Sequence, residues 1–268
     1  MDKKKRFDKI LADIKSVKIQ GARNIAKKAL DAYSLFPTKQ STKKLFNSRP
    51  TEPMMHRVLN LAEKKVPYNK ILQHFDYAQN KINNSVSKLI KNNGIVFTHC
   101  HSTNVVNALV YAKRKGRKFE VYNTETRPLF QGRKTAKELS GVGIKVTLFA
   151  DSAIDEIFTG KQGIKKPNLI FLGADALMKK GIINKIGSEL IAKTAKQNKI
   201  PVYIIADSWK FTNSKISLEQ RNLREIWDKA PKKVKIKNPA FEFVNKKYIK
   251  GIVSEYGVLS YSLFLKRV

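Results

Sequence analysis

The stretch GIVFTHCHSTNVVNALVYAKRKGRKFEVYNTETRP, Gly94 to Pro128, decides the architecture. It opens on an unbroken apolar run, halts at a polar cluster, and resumes as a helical pattern ending at Lys115-Gly116. A second apolar run follows and again stops in polar residues, Asn123-Thr124-Glu125. Strands buried on both faces read as continuous apolar runs, so the pattern is strand, helix, parallel strand. Downstream, GRKTAKELSGVG, IKVTLFADS, PNLIFLGADA, INKIGSELIAKTAKQNK, PVYIIADS and YIKGIVSEYG keep the same alternation. Residues 213–240, with scattered Lys, Asn and Pro, read as an irregular insertion.

Upstream the period changes. Phe7, Ile10, Ile14 and Val17 recur at three and four residues, and Ile71, Phe75, Ala78, Ile82, Val86 and Leu89 form one helical stripe. Pro67 stands near the start of that stripe, and Asn92-Asn93-Gly94 ends it. His74 lies beside the stripe and His56 is isolated, so both read as helix-face residues rather than ligands. The expected fold is α/β: a mostly parallel, Rossmann-like sheet flanked by helices over residues 93–268, preceded by a smaller all-helical N-terminal domain over residues 1–92.

The chain has 268 residues, 54 Lys+Arg against 21 Asp+Glu, a formal net charge of +33, and one cysteine. A lone cysteine rules out an internal disulfide framework and suits a reducing cytoplasm. The opening MDKKKRFDKILADIKSVK is too charged for a secretory signal, and no run approaches the ~20 apolar residues of a membrane span. The expectation is therefore a soluble cytoplasmic protein with no membrane partner. The positive charge suits a phosphate-rich partner or an anionic small substrate. Because the lysines are scattered, without an arginine-rich tract, specific nucleic-acid recognition is not expected, and weak non-specific RNA binding is the most the charge implies.

Nearly every expected strand ends in a polar cluster: THCHST, NTETRP, ADS, GAD and a second ADS followed by WKF. Open α/β sheets bind ligands at the carboxyl ends of their strands, so these five endings are expected on one edge. Ser102 and Thr103 precede a helix and offer hydroxyls and free N–H groups to a phosphate. Arg127 offers a fork of donors, and Lys185 and Lys210 add point charges. The inventory implies an anionic, phosphorylated ligand. Neither a P-loop nor a dinucleotide fingerprint is present.

Cys100 has three readings. On a strand, His99 and His101 would point one way and Cys100 the other, so the three do not converge on an ion, and no metal is expected. A lone cysteine is commonly a small buried hydrophobe. As a reactive group it would sit before a helix N-terminus, where the positive dipole lowers a thiol pKa. Asp175, at another strand end, would face it as the second half of an acid–base pair.

THCHS, TETRP followed by QG, TAKEL, DSA, GAD, NKIG, NPAF and the near-terminal SEYG, with IQGARNIAKKAL and SRPT upstream, make nearly the whole chain resemble the ribose-1,5-bisphosphate isomerase family. That family belongs to the superfamily of methylthioribose-1-phosphate isomerase and the alpha, beta and delta subunits of initiation factor 2B. The resemblance implies isomerisation of α-D-ribose 1,5-bisphosphate to ribulose 1,5-bisphosphate, with Cys100 as base, Asp175 as acid and no cofactor. It implies substrate contacts from Gln20, Gly21, Ala22, Arg23, Arg49, Ser102, Thr103, Asn104, Asn184, Lys185 and Lys210, and self-assembly as a dimer or hexamer. The family's segment reads Arg-Gly-Ala-Gly where this chain has Gln20-Gly21-Ala22-Arg23, so a charge is lost at Gln20 and Arg23 stands as its compensation. Two alternatives are a non-catalytic subunit, binding a translation factor, a sugar phosphate or a nucleotide, and a methylthioribose-1-phosphate isomerase. The superfamily's non-catalytic subunits typically lack the Cys–Asp pair.

Overall fold

The computed structural model describes residues 2–16, 18–19, 21–218 and 220–268. The expectation for Gln20, and Val17 of the first apolar stripe, fall outside them. Five helices come first: α1 (Lys3–Lys15), α2 (Ala22–Leu35), α3 (Lys39–Ser48), α4 (Pro53–Glu63) and α5 (Tyr68–Leu89). The Thr38 hydroxyl accepts from Ser41 N at the start of α3, and Pro53 opens α4, where its missing N–H costs nothing. The stripe on α5 is buried as expected at Ile71, Phe75, Ala78, Ile82 and Val86, but it serves two cores. Ile71 and Phe75 pack with Leu30, Met54 and Val58 of the preceding helices. Ile82 and Val86 pack instead with Val105, Leu109 and Val121 of the sheet layer.

From Gly94 the alternation becomes β1 (Gly94–Thr98), α6 (Thr103–Arg114), β2 (Phe119–Thr124), α7 (Gln131–Gly141), β3 (Lys145–Phe149), α8 (Ile154–Thr159) and β4 (Leu169–Leu172). Next come β5 (Ala176–Met178), β6 (Gly181–Lys185), α9 (Ser188–Gln197), β7 (Val202–Ile205), β8 (Phe241–Asn245), β9 (Gly251–Ser254), β10 (Gly257–Leu259) and α10 (Tyr261–Leu265). Seven strands form the main sheet in the order β10-β9-β7-β4-β1-β2-β3, all parallel except β10, which runs against β9. The expected mostly parallel α/β sheet flanked by helices is therefore present. The chain leaves β1 toward β2 and β3 on one side, then crosses to β4 on the other. The topological switch point lies between the carboxyl ends of β1 and β4.

One sheet was not expected. Strands β5, β6 and β8 form a separate antiparallel sheet, and INKIG, expected within a helical pattern, supplies most of β6. Helix α9 starts only at Ser188, where Glu242 of β8 caps it by accepting Glu189 N at 2.7 Å. The insertion at 213–240 is irregular among its described residues apart from turns and one short 3-10 helix, Leu223–Glu225. It is closed at its neck by a Gln220–Pro239 bridge and by Arg221 N donating to Asn238 O at 3.0 Å.

Candidate active site

The site grows from the ends of β1 and β4. Strand β1 stops at Thr98, so His99, Cys100 and His101 lie on a turn and not on a strand, and the expected in–out alternation does not apply. Cys100 takes φ 65, a left-handed conformation unusual for a residue with a side chain. Two hydroxyls hold it there: Cys100 N donates to Thr126 Oγ1 at 2.9 Å, and Cys100 O accepts from Thr135 Oγ1 at 2.8 Å. Thr126 is itself left-handed, its N–H donating to Asp151 Oδ1 at 2.8 Å, and Arg127 N donates to the other oxygen of Asp151 at 2.7 Å. Strained backbone that is pinned from both sides marks a position whose geometry the fold over-determines.

Both histidines are committed to this scaffold. The Ile186 carbonyl can only accept, so the 2.9 Å contact assigns its proton to His99 Nε2, and His99 Nδ1 then accepts from the Thr124 hydroxyl. Burial of the ring lowers the His99 pKa, with the Lys185 ammonium working in the same direction. The Thr135 hydroxyl spends its hydrogen on Cys100 O, so at 3.0 Å it accepts from His101 Nδ1–H. Burial, then Lys134, lowers His101 as well, against an opposing pull from Glu138.

The thiol departs from expectation. Cys100 keeps some exposure at the mouth of the cleft, yet the protein packed around its sulfur pushes the pKa up from 9.0 to about 11. Lys185 and the His101 N–H pull it down, while Asp175 and Asp151 raise it further. Burial outweighs the lowering from Lys185 and the His101 N–H, so the resting thiol is neutral.

Across the switch point, Gly173 and Ala174 lead from β4 to Asp175, whose N–H donates to Ile183 O at 2.8 Å. A Cβ at Gly173 would lie 2.7 Å from both Cβ and Oγ of Ser102, so only glycine lets the two loops approach this closely. Lys210, buried, donates from Nζ to Ala174 O at 2.6 Å. Lys185 lies over the Phe241 ring at 4.7 Å, and Asn184 Nδ2 donates to Ser188 Oγ at 2.8 Å.

A cavity of about 200 Å³ joins these groups. Of the expected site residues, Gly21, Ala22, Arg49, Cys100, Ser102, Thr103, Asp175, Asn184, Lys185 and Lys210 line it. Three do not. Arg23 turns to α5, with Nη2 2.5 Å from Asp76; Asn104 donates to Gln79 Oε1 at 3.0 Å; exposed Arg127 covers the Phe130 ring. The lining also includes His99, His101, Asn24, Glu52, Gln131, Lys134 and Arg221. Arg221 enters from the neck of the irregular insertion, paired with Glu225 at 2.8 Å. Five basic side chains, Arg49, Lys134, Lys185, Lys210 and Arg221, stand there against two carboxylates, Glu52 and Asp175. Such a cavity favours an anionic ligand. Among the described residues no helix is long and apolar enough to cross a membrane.

Comparison with known proteins agrees with this fold. The model of the initiation factor 2 subunit family matches residues 63–261. A ribose 1,5-bisphosphate isomerase of Archaeoglobus fulgidus is 31% identical, over 92% of this chain and 87% of that protein. A putative translation initiation factor eIF-2B subunit 2-like protein of Pyrococcus furiosus is 27% identical, over 94% of this chain and 95% of that one. Among solved structures, the translation initiation factor eIF-2B of Pyrococcus horikoshii superposes with a TM-score of 0.82 at 24% identity, covering 95% and 97% of the two chains, a likeness of fold.

Proposed function

The chain belongs to the initiation factor 2 subunit family, and on that premise we propose that it is an isomerase converting α-D-ribose 1,5-bisphosphate to ribulose 1,5-bisphosphate. The observation that carries this reading is the cleft at the β1/β4 switch point, where Cys100 and Asp175 line one cavity rich in cationic groups. A binding module has no need of a thiol held in strained backbone beside a carboxyl group.

In the proposed reaction Asp175, as the acid, protonates the ring oxygen, and the bond from that oxygen to the first carbon breaks. Cys100, as thiolate, takes the proton from the second carbon, giving an enolate-type intermediate. The proton of the hydroxyl on the second carbon passes to the Asp175 carboxylate while the Cys100 thiol returns its proton to the first carbon, so the second carbon becomes a carbonyl and both residues regain their starting states. At rest the thiol, pushed up to about 11 mainly by burial and further by Asp175 and Asp151, carries the proton. The active arrangement is the one with that proton on Asp175, leaving Cys100 charged. Arg49, Lys185 and Lys210 stabilise the phosphates and the developing enolate charge. Gly21, Ala22, Ser102, Thr103 and Asn184 complete the proposed contacts.

The test is purified protein with ribose 1,5-bisphosphate, followed by NMR for the ketose, beside Cys100→Ser and Asp175→Asn. Wild-type turnover with both variants reduced at least a hundredfold is expected. A second reading, a non-catalytic subunit of a translation-factor assembly, is favoured by the 27% identical Pyrococcus furiosus relative, a putative translation initiation factor eIF-2B subunit 2-like protein. Absence of turnover together with saturable binding of a translation factor would establish it instead.

A further inference from the structure

The loop after β7 is gripped from two sides. From the sheet, Glu255 accepts Ser208 N at 3.1 Å and the Ser208 hydroxyl. From the helical layer, His74 of α5 contacts Asp207 Oδ1 through Nε2 at 3.0 Å. The imidazole also stacks on the Trp209 indole, ring centroids 3.5 Å apart and planes 3° from parallel, while Phe75 meets the same indole edge-on at 5.8 Å. Asp207 Oδ1 accepts Trp209 N at 2.9 Å, and Lys210 N donates to Asp207 O at 3.1 Å. A partly buried histidine on α5 thus fixes the backbone from which Lys210 reaches Ala174 O, one residue before Asp175.

His74, Asp207 and Glu255 gather their ligand atoms within 4.8 Å. Asp207 Oδ1 and both oxygens of Glu255 already hold hydrogen bonds with His74, Trp209 and Ser208, so we read this as a hydrogen-bonded cluster rather than a metal site.

We propose that His74 is a positioning residue for the reaction: by stacking on Trp209 and bonding Asp207, it sets the place of the Lys210 ammonium and of the Ala174–Asp175 turn in the cleft. The inference rests on the isomerase reading above. Its physical basis is that a hydrogen bond and a face-to-face ring contact fix direction and distance together, which neither does alone. Helix α5 belongs to both cores, so any shift of the helical layer against the sheet is transmitted to Lys210.

The experiment compares His74→Ala, His74→Phe, which keeps the ring contact, and His74→Gln, which keeps a side-chain donor. Each is measured for KM and kcat with ribose 1,5-bisphosphate and for Tm. A Trp227→Phe background leaves Trp209 as the one fluorescent indole, because the chain has two tryptophans. His74→Ala is expected to raise KM about tenfold and to change Trp209 emission, with His74→Phe and His74→Gln between it and wild type. A role in stability alone lowers Tm and leaves the KM of the folded fraction where it was, and that result overturns the proposal. So does an unchanged KM in all three variants. If wild type shows no turnover, the isomerase reading falls, and the positioning role with it.

Discussion

Substituting Gly173→Ala tests whether the closeness of the two loops matters to chemistry. The added Cβ would sit 2.7 Å from Ser102 Cβ and Oγ. Carbon atoms rest at about 3.5–4.0 Å, so the Gly173 and Ser102 loops must part by about 1 Å. Ser102 Cβ is close to the backbone and cannot rotate away, unlike the end of a long side chain. Overpacking of this kind costs about 1–3 kcal/mol, a Tm loss of roughly 2–12 °C for a chain of this size. Separation of Cys100 from Asp175 by that distance is expected to lower kcat about 100-fold. NMR progress curves on ribose 1,5-bisphosphate and a thermal melt read both effects. Gly141→Ala is the control: beyond its neighbours in the chain and its own helix turn nothing lies within 4 Å of the added Cβ, so turnover should be unchanged and Tm slightly raised. A Gly173→Ala enzyme with kcat within threefold of wild type would refute the argument that loop separation limits the reaction.

Three further outcomes follow from the surroundings of Cys100. With the thiol at about 11, alkylation of the unliganded protein by iodoacetamide, followed by mass spectrometry, should accelerate about tenfold per pH unit to near pH 11. A plateau at or below pH 9 would contradict the buried-thiol picture. The same shift fixes a stability trend: folding favours the neutral thiol, so its contribution is whole below pH 9 and is lost as pH rises toward 11. Thr126→Val removes the acceptor of Cys100 N and should cost about 1–3 kcal/mol in stability. With it kcat should drop about tenfold and Thr126→Ser should restore it; a Val variant as active as wild type would show that the turn holds without that bond.

The sheet was legible because the strands at Gly94 and Leu169 open on unbroken apolar runs, and the strand at Phe119 is broken only by Glu120 before its polar end. Cys100 and Asp175 could be placed on one cleft because each follows such a run directly. The small antiparallel sheet was hidden for a local reason. Its hairpin turns at Lys179-Lys180, which carries none of the Asn-Gly signals of a tight turn, and the apolar residues of β6 run on into the helical pattern of α9. Arg221 was invisible because it sits in a segment with no periodicity, brought to the cavity by a bridge formed with a residue far along the chain. His74 was read only by its neighbours on α5, while its partner Asp207 is 133 residues away. The thiol pKa failed because position before a helix is written in sequence and desolvation is not.

The left-handed backbone at Cys100 has a consequence for descent. In that conformation a residue with a side chain costs roughly 1–2 kcal/mol that glycine does not. Folding alone therefore works against the cysteine in every generation, and on the proposed reaction it is selection for the chemistry of the sulfur that opposes it. A lineage released from that selection gains a sturdier protein by losing the thiol, keeping the cleft and its cations as a binding surface. On the proposed isomerase reading, paralogues that bind without reacting lie downhill from this chain, and the cysteine is what separates it from them.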